Sequence, residues 1–246
     1  MRSLIIAPAD EKRLAEALAS GAGAVIVDLA QAALEKGTAT RATAAQFLKQ
    51  ERARGGGPAL VVGVHALDSG ETDADLDAVM GFAPDAILLP RSFGGASVQQ
   101  LSAKLAVREA EFALADGATR IIAVADAARG VLNLASYRGA SERLVGLAWN
   151  AASLRADIGA ETERDSSGAY ASAFRLARDL TLLAAAAAGV AAIDATFPAV
   201  ADAKGLRAEA LAARRDGFAG KMAIDPAQAA IINEVFPSRS KPLAER

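Results

Sequence analysis

An aspartate at the end of an apolar run is the first candidate for chemistry in this sequence. The segment 120–133 begins with branched apolar residues and reaches Asp126 before a helical pattern resumes. A short and wholly apolar run is typical of a strand that is buried on both faces, as in a parallel sheet. The carboxyl ends of such strands face the ligand, so Asp126 stands where a functional carboxylate is expected. The alternative is that Asp126 caps the helix that follows.

Polar residues also follow the other apolar runs. Arg91 suits bidentate binding of a carboxylate or phosphate, and the competing interpretation is a salt bridge with Asp126 or another acid of the barrel. Asp28 could steady a cation or accept a proton, or else cap a helix or join an ion pair. His65 could act as an acid or base near neutral pH, although a lone histidine is more often part of hydrogen-bonded structure. The residues at the predicted strand ends are Pro8, Asp10, Asp28, His65, Arg91, Asp126, Asn150, Ser153, Thr196 and Asp225.

Eight apolar runs alternate with longer helical patterns. The predicted strands are Leu4–Pro8, Ala24–Leu29, Ala59–His65, Ala86–Pro90, Ile121–Asp126, Leu144–Asn150, Ala191–Thr196 and Lys221–Asp225. The predicted helices lie near 11–20, 39–54, 73–82, 96–116, 131–140, 167–188, 202–216 and 226–236. Eight such units predict an α/β fold, a single-domain (β/α)₈ TIM barrel over residues 1–236 with a polar tail at 237–246. A doubly wound sheet is the alternative, since counting units does not show that the sheet closes.

Local signals set several boundaries. Thr72 and Asp75 have the spacing of a capping box, and Asp225 before Pro226 predicts an N-cap, which is the main role we assign to Asp225. We interpret the segment 151–168 as a long polar loop after the sixth strand. In a closed barrel the strand ends converge on one mouth, so we expect the side chains at positions 28, 65, 91 and 126 to share a pocket.

Composition excludes several classes of function. The chain has no cysteine, so disulfides, thiolate nucleophiles and cysteine metal sites are ruled out, and its single histidine leaves no multi-histidine zinc site. A net charge of −2 without a basic cluster gives no support for nucleic-acid binding. No apolar run approaches the ~20 residues of a membrane span. The opening apolar run is too short for a signal peptide, and the absence of cysteine fits a reducing cytoplasm, where we expect the protein.

Seven blocks of sequence between Arg2 and about Ser238 form a recognisable series: RSLIIAPAD, ALASGAGAVIVDL, VHALD, DAILLPR, ARGVLN, AAIDATFP and GFAGKMAIDPAQAAIINEVF. In content and order these blocks resemble the HpcH/HpaI aldolase family, and within it the citrate lyase β-subunit-like (CitE-like) branch. The last block is the most specific.

The resemblance implies an oligomeric TIM barrel, a trimer or hexamer, that cleaves or forms carbon–carbon bonds. Substrates in this family are 3-hydroxyacyl-CoA thioesters such as citryl-, citramalyl- or malyl-CoA. A magnesium ion is held by a glutamate after the fifth strand and an aspartate after the sixth. The cation and an arginine hold the keto-acid product, while the other fragment leaves as an enolate.

The resemblance fails at the positions that hold the metal. The glutamate of the family's ETARG motif falls on Asp126, and the aspartate of its GAEDL motif falls on Ser153, with Ala152 in place of the adjacent glutamate. The DLED motif keeps one of three carboxylates, Asp28. One remaining carboxylate with a serine hydroxyl predicts a weakened magnesium site at Asp126.

Positions that contact substrate change as well. The arginine of the family's RVNALD motif falls on Gly63 and its asparagine on His65, the lysine of LPK falls on Arg91, and the histidine of AIHPAQ falls on Asp225. We expect Arg91, Asp28 and His65 to be the catalytic candidates. The residues expected to border the substrate are Pro8, Gly63, His65, Arg91 and Thr196.

Three hypotheses remain. The chain is a CitE-like carbon–carbon lyase in which Asp126 holds the ion through water and Arg91 replaces the lost arginine. Alternatively, it is a metal-independent barrel for another small acid or acyl-CoA, with Arg91 and His65 as its working pair. The third hypothesis is a non-catalytic binding or assembly protein.

Overall fold

The computed structural model describes residues 2–30 and 37–236, which form one closed barrel of eight parallel strands in the order β1 to β8. The strands are β1 Ser3–Pro8, β2 Ala24–Asp28, β3 Ala59–Gly63, β4 Ala86–Leu89, β5 Arg120–Ala125, β6 Leu144–Trp149, β7 Ala191–Asp194 and β8 Gly220–Ala223. The helices are α1 Glu11–Ala19, α2 Gly37–Arg54, α3 Thr72–Val79, α4 Gly95–Glu111, α5 Ala128–Leu132, α6 Ala151–Ile158, α7 Ser172–Ala188, α8 Ala203–Asp216 and α9 Pro226–Val235. The predicted TIM barrel is confirmed, and the open doubly wound sheet is ruled out because β1 pairs with β8.

Two apolar layers explain why the strands contain almost no polar residues. Successive side chains on a strand point to opposite faces. In β3, Val61 belongs to the cluster inside the barrel and Val62 to the larger cluster between barrel and helices. Both faces are buried, and polar residues therefore appear where each strand ends.

A buried lysine joins the last two strands to the outer helices. Lys221 is fully buried, and its Nζ lies 2.8 Å from Oδ2 of Asp194 and 2.8 Å from Oε1 of Glu209 on α8. Trp149 donates its indole N–H to the same aspartate at 2.9 Å. Because each of these buried charges has a partner, the network fixes β7, β8 and α8 to one another without an orphaned charge.

The predicted loop over 151–168 is wrong for its first half, where α6 forms. The Asn150 side chain caps this helix by accepting a hydrogen bond from the Ser153 N–H, and Gly159 ends it in the left-handed conformation at φ 67°. Both are standard helix-boundary residues. Because the segment is polar, we interpreted it as a loop and did not identify Asn150 and Gly159 as the ends of a helix.

The capping box predicted at Thr72 and Asp75 is also wrong. The helix begins at Thr72 itself, Glu71 is the N-cap residue, and its side chain makes no capping hydrogen bond. The Thr72 hydroxyl instead donates toward the carbonyl oxygens of His65 and Ala66, at 3.1 and 2.9 Å. Thr72 and Asp75 have the spacing of a capping box, but the Thr72 side chain contacts the segment that follows β3 instead.

Three predicted helices differ clearly in extent, and the one expected at 96–116 ends at Glu111. The helix expected at 131–140 is the short α5 followed by a 3₁₀ turn over Leu134–Tyr137, and the helix expected at 167–188 begins at Ser172. The tail 237–246 and Gln31 of the DLED-like block lie outside the described residues. Among the residues described, no helix combines the length and the apolar character that crossing a membrane requires.

Candidate functional site

Asp126 follows the last residue of β5 and is bound to the loop after β4. Its Oδ1 accepts a hydrogen bond from the Arg91 N–H at 2.9 Å, and the residue is 5% exposed. The interpretation of Asp126 as the cap of the next helix is wrong, because Ala127 is the N-cap residue of α5 and the first N–H of that helix donates to Asp157 instead. Asp126 therefore holds the neighbouring strand end instead of its own helix.

The position of Asp126 raises its pKa and makes it a weaker acid than an exposed aspartate. Burial raises the pKa of Asp126 to about 6, and the negative charge of nearby Asp157 acts in the same direction. The N–H and the positive charge of Arg91 oppose this increase without cancelling it. A carboxyl group with this pKa is partly protonated near neutral pH, which is the range in which a group can both accept and donate a proton.

The loop that carries Arg91 is fixed from several directions. Arg91 has a positive φ of 46°, a conformation that non-glycine residues seldom adopt. The N–H of Ser92 donates to the Val124 carbonyl at 3.2 Å, and the Tyr137 hydroxyl lies 2.8 Å from the Ser92 hydroxyl. A Cβ on Gly130 would lie 2.4 Å from the Ser92 carbonyl oxygen, so only glycine allows α5 to approach this closely.

Arg91, Asp126 and Ser153 line one open pocket of about 550 Å³ at the ends of β4, β5 and β6, together with Ala156 and Asp157 of α6. The structure thus brings together the two positions that the resemblance assigned to the family's metal ligands, and adds the arginine. Arg91 extends its side chain from the loop, is 47% exposed there, and lies 5.4 Å from the ring centre of Phe93.

Asp157 is a pocket residue that the sequence interpretation missed. Its Oδ2 accepts the Ala128 N–H at 2.8 Å, and its Oδ1 lies 3.9 Å from Nη1 of Arg91. It stands one helical turn after Ser153, and residues four apart share a helix face. The spacing of Ser153 and Asp157 could have identified Asp157 as a pocket residue, but only if the segment 151–158 had been predicted as a helix. The salt bridge considered for Arg91 is formed, at this long distance, with another barrel acid, Asp157, and not with Asp126.

The donor set does not fit the family's magnesium centre. In the described part of the chain, no group of three or more His, Cys, Asp or Glu side chains is arranged to hold a metal ion. The carboxylates of Asp126 and Asp157 each already accept a backbone N–H, and Ser153 is neutral. Magnesium is held through carboxylate ligands in octahedral geometry, and a guanidinium in the same pocket competes for them.

Asp28 and His65 lie outside the pocket formed around Arg91 and Asp126. The Oδ1 of Asp28 accepts the Ala30 N–H at 2.9 Å, and a Cβ on Gly63 would lie 3.4 Å from the same oxygen. The Nδ1 of His65 lies 2.8 Å from Oδ2 of Asp75. The structure therefore forms two groups at the mouth, one at β4–β6 and one at β2–β3.

The remaining candidates have structural contacts. Three of them are N-caps, because their side chains accept backbone N–H groups at the start of α1, α6 and α9: Asp10, Asn150 and Asp225. The capping role predicted for Asp225 is confirmed. Pro8 pairs with Asp28 in the sheet, and Thr196 is half-buried after β7.

Comparison with known proteins gives the family of the chain. Its residues 2–226 match the family model described as HpcH/HpaI aldolase/citrate lyase. The citrate lyase subunit beta of Leuconostoc mesenteroides is 32% identical over 186 residues, which cover 76% of this chain and 60% of that protein. The chain thus spans less than two thirds of that relative. A (3S)-malyl-CoA thioesterase of Cereibacter sphaeroides is 31% identical over 238 residues, covering 96% of this chain and 76% of the relative.

Solved structures of similar proteins support the same family assignment. CitE of Mycobacterium tuberculosis, in complex with magnesium, acetoacetate and coenzyme A, superposes with a TM-score of 0.81 at 30% identity, covering 97% of this chain and 82% of that one. A citrate lyase β subunit from the same organism has been solved with oxaloacetate and magnesium. With a family model that spans most of its length, this chain belongs to the HpcH/HpaI aldolase/citrate lyase family.

Proposed function

We propose that this chain is a CitE-like carbon–carbon lyase that acts on a hydroxyacyl-CoA, or on a related substrate that yields a 2-keto acid, and that Arg91 holds the keto acid. The observation that carries the proposal is the pocket itself. It presents a partly exposed guanidinium beside a buried carboxylate, and the ion pair between Arg91 and Asp157 spans 3.9 Å. An arginine with such a long ion pair can turn its planar group toward a substrate carboxylate.

Cleavage of such a substrate has two electrostatic requirements. A base must take the proton of the hydroxyl group, and a positive group must hold the carboxylate and the carbonyl oxygen of the keto acid that forms. Arg91 supplies the second, because its loop is fixed by Asp126 and by the contact between Gly130 and Ser92. A donor fixed before the reaction does not have to reorganise during it, which is the main source of electrostatic catalysis. No step of this proposal passes through a metal ion.

Binding of oxaloacetate, measured by calorimetry first in EDTA and then with magnesium, tests the proposal. We expect saturable binding in EDTA that Arg91→Ala weakens about 10- to 100-fold, since a hydrogen-bonded charge pair contributes roughly 1.5–3 kcal/mol. Arg129→Ala is the matched control. Arg129 is an exposed arginine that contacts the same Phe93 ring at 4.9 Å but does not line the pocket. Equal loss in both variants, or binding that depends on magnesium alone, would contradict the proposal.

A second candidate is a non-catalytic or metal-independent barrel that binds a small acid or serves in assembly. The observation in its favour is Ser153, which leaves the pocket without the carboxylate expected there. Turnover distinguishes the two: release of a keto acid from malyl- or citramalyl-CoA supports the lyase, whereas oxaloacetate binding without turnover supports the binding protein. Assembly as a trimer or hexamer is part of the proposal, and light scattering of the full chain measures it.

A further inference from the structure

The segment after β3 carries a histidine at the same end of the barrel as the proposed acid-binding arginine. Gly63 pairs with Leu88 in the β3–β4 register, and the Val64 N–H donates to the Leu88 carbonyl at 3.3 Å. Continued by two residues, this register sets His65 opposite Pro90, the residue before Arg91. Neighbouring strands lie about 4.8 Å apart. His65 and Arg91 therefore stand at the same end of two neighbouring strands, and their side chains have different partners.

A buried carboxylate fixes the orientation of the imidazole. The Oδ2 of Asp75 accepts the His65 backbone N–H at 2.8 Å and lies 2.8 Å from Nδ1 of the ring. Asp75 is fully buried and can only accept hydrogen bonds when ionised. Nδ1 must therefore carry the proton, which leaves the lone pair of the neutral ring on Nε2.

The carboxylate is in turn held by an arginine. The Nε of Arg41, on α2, donates to Oδ1 of Asp75 at 2.8 Å, and Nη2 of Arg41 lies 2.5 Å from Oε2 of Glu71. The hydrogen bond from Arg41 keeps the pKa of Glu71 below its usual range. The order Glu71, Arg41, Asp75, His65 resembles the orienting series in which a fixed acid holds a base in the right tautomer.

The second ring nitrogen, Nε2, is unpaired in the described part of the chain, although the ring is mostly buried. Within residues 2–30 and 37–236, no group forms a hydrogen bond with Nε2, and the side chain of His65 is 12% exposed. Gly63, two residues earlier, has no side chain, and a Cβ there would meet no atom closer than Oδ1 of Asp28 at 3.4 Å.

We propose that His65 is the general base of the lyase and that Asp75, supported by Arg41, is its positioning residue; this inference rests on the proposed function. Nε2 takes the proton of the substrate hydroxyl. The O–H electron pair forms the keto-acid carbonyl, the adjacent carbon–carbon bond breaks, and its electrons move to the thioester oxygen as an enolate. The imidazolium returns the proton to the enolate carbon, so that keto acid and acyl-CoA leave with atoms and charge balanced.

The single histidine makes the geometry directly measurable. In ¹⁵N-imidazole NMR of the full chain, we expect the Nδ1–H tautomer. Asp75→Ala should weaken this preference, because the carboxylate that accepts from Nδ1 is then absent. A role limited to packing requires neither tautomer, so this spectrum separates positioning from stability. An Nε2–H tautomer in the wild type would overturn the inference.

Kinetics supplies the second test. His65→Gln should lower the turnover of malyl- or citramalyl-CoA about 100- to 10,000-fold, the usual contribution of a general base, while oxaloacetate still binds through Arg91. Turnover unchanged in His65→Gln would refute the inference and leave the lyase standing. A wild type that cleaves neither thioester would refute both proposals. Because oxaloacetate binding is recorded for each variant, a misfolded protein is distinguished from a missing base.

Discussion

Replacement of Asp126 by asparagine should stabilise the protein at alkaline pH. Burial raises the pKa of this carboxyl from the usual 3.8 to about 6, so above pH 6 the folded chain carries a charge that the unfolded chain solvates better. A change of one in pKa corresponds to about 1.4 kcal/mol, which places the cost near 3 kcal/mol at pH 8. The asparagine carbonyl can still accept the Arg91 N–H without that cost.

The sign of the pH dependence follows from the raised pKa. Folded Asp126 binds its proton more tightly than unfolded Asp126, so its favourable contribution is complete below pH 3.8 and is lost as the pH rises through 6. The advantage of Asp126→Asn should therefore be largest at pH 8 and shrink to roughly half by pH 5. For a domain of this size, 3 kcal/mol corresponds to a rise in Tm of about 6–12 °C.

Urea unfolding of wild type and Asp126→Asn at pH 5 and pH 8, in EDTA, measures the difference. Asp10→Asn is the control, because Asp10 is an exposed N-cap whose function asparagine performs equally well. It should show no comparable gain. An Asp126→Asn variant that is no more stable than wild type at pH 8 would refute the claim that desolvation dominates at this position.

Two further predictions test the pocket. Ser153→Asp should tighten magnesium binding by at least about tenfold in calorimetry, since it returns a carboxylate to the pocket that contains Asp126. The control Ser172→Asp, at an exposed serine, should not tighten it. If Ser153→Asp binds magnesium no better than the wild type, positions 126 and 153 do not converge on one site. Gly130→Ala should weaken oxaloacetate binding and lower the stability by about 1–3 kcal/mol, because the new Cβ would lie 2.4 Å from the Ser92 carbonyl oxygen and displace the Arg91 loop. Unchanged oxaloacetate binding would show that the contact between Gly130 and Ser92 does not position Arg91.

The barrel could be predicted because each of its strands is an apolar run bounded by polar or turn residues. Several strands end earlier than predicted: β3 ends at Gly63 and β7 at Asp194, so His65 and Thr196 lie beyond the ladder. A polar residue at a strand end leaves the sheet to contact neighbouring elements. The sequence therefore indicates which residues reach the mouth, but not how far from the strand they lie.

The contacts at the mouth could not be predicted because they depend on how helices are rotated. Asp75 looked like part of a helix cap, yet its carboxylate reaches back to His65 on the preceding strand end. Asp157 enters the pocket only because α6 forms and turns that face toward Arg91. Spacing along the chain identifies neighbours within one element. A contact between elements also requires the packing angle, which composition does not encode.

Both groups at the mouth share a physical feature that argues against an inert scaffold. Arg91 and His65 are each fixed at the backbone by a buried carboxylate, Asp126 in one case and Asp75 in the other, while the functional end of the side chain remains partly exposed. Burying a charge to hold another residue is costly, and apolar residues of similar volume often fill such positions with equal or greater stability. A chain that only had to fold would gain by losing Asp126. Buried carboxylates that lower the stability are expected where an arginine and a base must be fixed in position before a substrate binds. Such preorganisation favours function and reduces the stability of the fold.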